Sequence, residues 1–397
     1  MVKRNSMSSE VKDFCGVYGI TEEQFYGVEV CDANMYLEEN IPVPDGFSPV
    51  VTRNLYVNGK TTIGDNFSPK VGWNLYLDNI ISIGKNFTPT VKGSTNLTSL
   101  KIVPEGFNPK IGACLYMGNA TTLPEDFAPV IGCHLDIKNV KALPKGFNPI
   151  VGGTLYLDYL KEIPNDFNLT VGTSLILNFV SKIPVGFCPT VGGSLCLPKV
   201  KQIAPDFKPF VGCYLYLNGM TNLPDTFDSK VAYTIFLKNR YIYNHNKYLA
   251  KFVSWSNGKY IRVDELFTEV VSHKGNVWKV KRIGDDKEFY LISDGKNAYS
   301  HGDTLQEAKE DLLFKTTNRS KDDYKDLTWG SELSYEEAII CYRVITGACS
   351  YGTRDYIENR LGDKKTIYTV KEIIELTNGE FGNDNFKAYF AGTQLSS

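Results

Sequence analysis

The sequence predicts a parallel β-solenoid with irregular, Pro-rich return legs, followed by a small α+β domain. Three observations carry that prediction. A phenylalanine returns every twentieth residue from Phe47 to Phe227, in ten successive copies. Most copies end in an alternating triplet such as Leu55-Tyr56-Val57, Leu115-Tyr116-Met117 or Leu155-Tyr156-Leu157. After Leu237 the twenty-residue phase stops, and the pattern changes first to short alternating runs and then to helical spacing.

Each column of the repeat has a physical job. Four residues before Phe stands Val, Ile or Leu (Ile63, Val103, Leu143, Ile203), often followed by Pro, and two residues after Phe comes a second Pro, with Leu169 and Ser229 as exceptions. A β-branched residue follows two positions later, Val51 through Val231 in most copies, and then usually Gly. Alternation with period two marks a short strand with one face buried. Two prolines per copy remove amide donors and forbid regular helix, so each copy is expected to hold one strand and one Pro-punctuated return. A unit this small buries nothing alone. Stacked, ten copies line up five apolar columns, about fifty side chains, each contributing roughly 1.5–3 kcal/mol against the cost of ordering the chain.

A fixed period of twenty with an apolar-x-apolar strand and a Leu/Ile-Pro pair resembles the short bacterial-type leucine-rich repeats, over residues 41–240. The resemblance implies a curved surface that presents side chains to another protein, and no reaction. One departure stands out: Asn58, Asn178 and Asn218 share their column with Asp78, Thr98, Gly118, Lys138 and Pro198. No asparagine ladder is therefore expected there, and Pro-rich turns are left to organise the bend.

Residues 1–40 read as an amino-terminal cap. Thr21 with Gln24 forms a capping-box pattern, and Phe25 and Val28 fall on one helical face, which predicts a short helix over the first coil. Along the repeats, the middle residue of each strand triplet points away from the core: Tyr56, Tyr76, Asn96, Tyr116, Asp136, Tyr156, Ile176, Cys196, Tyr216 and Phe236. These predict an aromatic ladder with rungs about 5 Å apart. The preceding column adds Asn54, Asn74, His134, Thr154 and Tyr214. Stacked aromatics stabilise a sheet by themselves, yet tyrosine also supplies contact area at little entropic cost and is enriched at interfaces. The partner-binding residues singled out are Tyr56, Tyr76, Tyr116, His134, Asp136, Tyr156, Tyr214, Tyr216 and Phe236.

Residues 241–397 read as the α+β domain, its aromatic opening (Tyr241, Tyr243, Trp255, Tyr260) implying a junction packed on the last coil. Strands are expected over 267–272, 276–283, 288–293 and 297–301, separated by Gly- and Asp-containing turns. Capping boxes at Thr304/Glu307, Ser334/Glu337 and Thr369/Glu372 start helices over 305–315, 335–346 and 370–377, with two more over 353–361 and 385–390. Gly347, Gly362 and Gly379 lie where helices should end.

The chemistry-bearing residues of this domain are few. His301, Cys349 and Arg343 define the alternative reading, an enzyme with a thiol or anion-binding site that the repeats target, because the loop 346–352 opens a helix whose amino end could hold an anion. It lacks the spacing of a phosphate-binding loop. A Cys-x-Asp nucleophile, as in bacterial repeat proteins that carry a ubiquitin ligase domain, does not occur in 241–397.

Composition narrows the class. The net charge is −2, and residues 241–397 hold 22 Lys+Arg against 24 Asp+Glu, which argues against nucleic acid as partner. No run of about eighteen apolar residues exists, so no membrane span is expected, and the polar start 1–12 lacks a signal-peptide core. Nine cysteines with no CxxC fit reduced thiols and a cytoplasmic location. Cys114 and Cys133, nineteen apart, fall in neighbouring columns of adjacent coils, where a metal clip or a disulfide is conceivable but small side chains filling a strand edge are the expected outcome. No metal or cofactor is assigned. The expectation is a non-enzymatic protein-binding scaffold, in a style similar to bacterial or phage inhibitors of host defence or signalling complexes, with a homodimer contact through the carboxyl-terminal domain as a further expectation.

Overall fold

The computed structural model describes residues 8–59, 62–165, 167–225, 227–244, 252–296, 298–316, 320–348 and 350–393. The chain divides into two compact units, Met1–Glu269 with Arg282–Asp286, and Val270–Lys281 with Lys287–Ser397.

The first unit is a parallel β-solenoid running from Val30 to Leu237. Each coil gives two short strands, such as Val50–Val51 and Leu55–Val57, which the sequence reading had merged into one. The first strands form an eleven-stranded parallel sheet, and the second strands a twelve-stranded sheet whose last member is antiparallel. Register is strict at twenty residues: Val51 pairs with Val71, Leu55 with Leu75 and Tyr56 with Tyr76. The eleven-stranded sheet begins at the Pro two residues after Phe. Its carbonyl accepts the amide of the next coil, as in Lys70 N to Pro49 O at 2.9 Å and Thr90 N to Pro69 O at 2.9 Å, while its missing N–H is not needed.

The phenylalanine column forms the axis of the core. Phe67, Phe87, Phe107, Phe127, Phe187 and Phe207 are fully buried, and Phe67, Phe87 and Phe107 stack with centroids 5.3 and 4.9 Å apart. In seven coils the residue before Phe turns through the left-handed region (Gly46, Asn66, Asn86, Gly106, Asp126, Gly146, Gly186), which favours Gly, Asn and Asp at those positions. A sixth apolar column joins the five expected ones: Ile80, Leu100, Ala120, Val140, Leu160, Val180 and Val200 are fully buried.

Both ends are covered. Helix α1, Ser9–Tyr18, which the sequence reading missed, and the one-turn α2, Glu22–Phe25, lay Phe14 and Phe25 on Phe47, with ring centroids 5.6 and 5.1 Å from it. The Thr21/Gln24 capping box forms as expected, but Val28 is exposed, because α2 stops at Phe25. At the other end Tyr241–Tyr243 pairs antiparallel with Thr234–Leu237.

The chain then doubles back along the middle coils instead of packing only on the last one. Strands Phe252–Trp255, Tyr260–Val263 and the start of Leu266–Lys274 form an antiparallel meander. Val253, Trp255, Tyr260, Phe267 and Ile283 pack with Val130 and Ile150. Trp255 Nε1 donates to Thr170 O at 2.9 Å and Arg262 to Gly172 O at 3.1 Å. The glycine column is required first by the stacked coils, where a Cβ on Gly72 would meet Thr52 O at 2.0 Å and one on Gly132 would meet Gly112 O at 2.0 Å, and this close approach adds to it. A Cβ on Gly152 would meet Phe267 at 2.7 Å, one on Gly172 would meet Arg262 at 2.9 Å, and one on Gly192 would meet Val253 at 3.2 Å.

The second unit holds antiparallel strands Val277–Lys281, Glu288–Ser293 and Tyr299–Gly302, then helices α3 (Leu305–Thr316), α4 (Tyr335–Thr346), α5 (Ser350–Asn359), α6 (Val370–Leu376) and α7 (Asn383–Tyr389). All three expected capping boxes form. Helix α5 starts and ends earlier than expected, so Gly362 lies past its end and does not cap it. A two-stranded pairing of Glu332–Ser334 with Ile367–Thr369 had no sequence signal long enough to be read. Cys341, Ile345, Val370, Phe386 and Phe390 centre the helical core. Among the described residues, no helix is long and apolar enough to cross a membrane.

Candidate functional site

Strict register sets the candidate face. Because strands alternate, Leu55 and Val57 point inward and are fully buried, while Tyr56 between them faces outward and is half-buried. The same geometry puts Tyr76, Tyr116, Asp136, Tyr156, Tyr216 and Phe236 on that one face. Tyr36 joins them one coil earlier, and its ring is stacked on Tyr56 with centroids 4.8 Å apart. The sequence reading missed Tyr36 because Gly27 stands where the period would place another Phe. Twenty residues counted back from Tyr56 would have found it.

The expected aromatic ladder is two blocks and not one. Tyr36, Tyr56 and Tyr76 stack with planes within 5° of parallel. Asn96 then interrupts, since it pairs in register with Tyr76 on one side and Tyr116 on the other. Asp136, Ile176 and Cys196 break the column again, and stacking resumes only at Tyr216 and Phe236, 4.6 Å apart. Tyr214, Tyr233 and Tyr241 surround this second block. Partial burial, followed by the neighbouring Tyr76 and Tyr36 phenols, pushes the Tyr56 phenol up, and burial does the same to Tyr216. Both stay neutral and able to donate across the physiological range.

The adjacent column corrects the sequence reading. Asn54 and Thr154 are buried, and His134 is half-buried. Their column is a side-chain ladder between coils: Asn34 Oδ1 accepts from Asn54 N (3.0 Å), Asn54 Oδ1 from Asn74 N (2.9 Å), Asn74 Oδ1 from Ser94 N (2.8 Å), and His134 Nδ1 from Thr154 N (2.9 Å). A polar ladder therefore exists, in a column other than the one that the repeat resemblance pointed to. A second set runs through the turn column, where Asn79 Nδ2 donates to Asn58 O (2.7 Å) and Asn139 Nδ2 to Gly118 O (2.6 Å). Buried backbone groups need such partners, which is why these columns are polar. His134 is a rung of this ladder before it is a surface contact.

Beside His134 lie two thiols. The ligand atoms of Cys114, Cys133 and His134 are all within 4.8 Å of one another. Cys114 is buried, and Cys133 is half-buried. The hydrogen bond from the Cys133 thiol brings Cys114 down to about 5, and the same shared proton pushes Cys133 up. Contact with the Cys114 sulfur raises Tyr116 to about 12.

The alternative site in the second unit is assembled differently from its sequence reading. Arg343 forms a buried ion pair with Asp311, its Nε donates to Ala348 O at 3.3 Å, and its guanidinium lies 4.0 Å from the Phe314 ring centre. Asp311 also accepts the amide of Ser350 at 2.9 Å. The amino end of α5 is thus met by the chain's own Asp311 carboxylate, which the sequence reading did not assign. His301 is buried on its strand, 6.1 Å from the Phe289 ring. Cys349 lies outside the described residues.

No family model matches this sequence, and no curated protein or solved structure matches it either.

Proposed function

We propose that the chain is a protein-binding scaffold whose contact surface is the outward face of the second solenoid sheet, centred on the stacked Tyr36–Tyr56–Tyr76 block and continuing through Tyr116 and Tyr156. The observation that supports this most is the block itself. Three rings held parallel 4.7–4.8 Å apart lose little further freedom on binding, and the outermost, Tyr36, keeps 51% of its surface exposed. Tyr116 keeps 40%. Trp73, with Arg53 5.8 Å from its ring, adds a large exposed aromatic in the bend three residues before Tyr76. Aromatic and Arg side chains are the groups that dominate interface energetics.

The test is affinity purification with the full chain as bait, followed by calorimetry with the purified partner, comparing the unsubstituted chain with Tyr36→Ala/Tyr56→Ala. The reading requires affinity to fall at least about tenfold while the thermal midpoint shifts by only a few degrees. Unchanged affinity in that variant overturns it.

A further inference from the structure

We propose that Cys114, Cys133 and His134 form a zinc site that staples two successive coils of the solenoid. Parallel stacking at twenty-residue register sets Cys114 of one coil beside His134 of the next, and the bend before Leu135–Asp136 turns Cys133 to the same side as its neighbour His134. The three ligand atoms lie within 4.8 Å of one another, so side-chain rotations of about an ångström bring them to the 2.3 Å Zn–S and 2.0–2.1 Å Zn–N distances of tetrahedral zinc. Two thiolates and one imidazole are the soft and borderline donors that select zinc over calcium or magnesium. The fourth position is left to water. Half-burial of Cys133 and His134 gives an ion a route in.

His134 is the exchangeable ligand. The His134 Nδ1 lone pair accepts the Thr154 amide at 2.9 Å, so ligation must turn or flip the ring and loosen that bond. The two thiolates carry the affinity, and the proton that the pair shares goes to solvent when the ion binds.

The experiment uses the full chain, reduced and freed of metal, titrated with Co2+ and then Zn2+. The expected result is one ion per chain, a thiolate-to-Co2+ charge-transfer absorption that Zn2+ abolishes, and a shift of the Thr154 amide resonance. Cys114→Ala and Cys133→Ala should each lose the absorption, and His134→Ala should weaken binding without removing it. Alkylation of the unsubstituted chain gives a reading independent of variant folding: Zn2+ should protect Cys114 and Cys133 and leave Cys188 reactive. Absence of the absorption, an absorption that survives both cysteine substitutions, or equal alkylation with and without Zn2+ would overturn the proposal. So would a Cys114–Cys133 disulfide that forms under mild oxidation in a chain that binds no metal, which would make the pair a thiol–disulfide couple.

Discussion

Tyr56 and Tyr76 lie with their rings 4.7 Å apart and 5° from parallel, twenty residues apart in sequence and directly paired in the sheet. Ring spacing equals strand spacing, so the stack is a direct consequence of coil register. The same register explains the phenylalanine axis, the left-handed turn column and the amide ladders.

Phe127 is fully buried between Phe107 and Phe147, with ring centroids 5.9 and 5.8 Å away. Phe127→Ala should cost about 3–5 kcal/mol, because stacked coils cannot collapse into the space left behind. Tyr116→Ala, at an exposed ring, should cost about 1 kcal/mol or less. Chemical denaturation of both variants reads the contrast, and equal losses would contradict the inside–outside assignment.

Gly152→Ala puts a methyl group 2.4 Å from Gly132 O and 2.7 Å from the Phe267 ring, so both the coil stack and the doubled-back segment must shift. Faster hydrogen exchange at the Trp255 indole, which donates to Thr170 O at 2.9 Å, is the expected outcome. Gly330→Ala, where nothing lies within 4 Å, serves as the control and should change nothing there.

Ser334 accepts the Glu337 amide at 3.3 Å, and Glu337 returns the bond to the Ser334 amide at 3.0 Å. Ser334→Ala should destabilise the second unit by about 1 kcal/mol and leave the solenoid unchanged. Hydrogen exchange in α4 against exchange in the Phe column separates the two.

Glu372 is held at about 2 by Lys365, whose ammonium lies 2.7 Å from its carboxylate, and by the Thr369 amide. The depressed value means that the ionised carboxylate favours the folded chain above its ordinary value of 4.5, and that this contribution fades as pH falls toward 2. Lys365→Met should raise the Glu372 titration midpoint, read by NMR, toward 4.5. A midpoint that stays put would show that Lys365 does not act on this carboxylate.

The solenoid was legible because one short period repeats ten times, so every column is sampled ten times over. Capping boxes were legible because their chemistry is local: Thr21, Ser334 and Thr369 each bond three residues ahead. What the sequence hid was non-local. Nothing near Gly152 announces Phe267, and nothing near Arg343 announces that Asp311, thirty-two residues away, fills the amino end of α5. His134 looked like a contact residue because its column mixes Asn, Ser, Cys, His and Thr, and only the geometry reveals that these different side chains serve the amide of the next coil. The outward strand positions were found correctly by alternation, while the breaks at Asn96, Asp136, Ile176 and Cys196 show that a column can keep its face without keeping its chemistry.

The most direct test of coil register is the distance between nitroxide labels at Tyr56→Cys and Tyr156→Cys, with the reactive native cysteines removed. Five coils of about 4.8 Å each require a single narrow distribution near 24 Å, widened only by the reach of the labels. A broad distribution, or a mean beyond about 35 Å, would show that matching positions do not line up on one face, and the proposed binding surface would be lost with them.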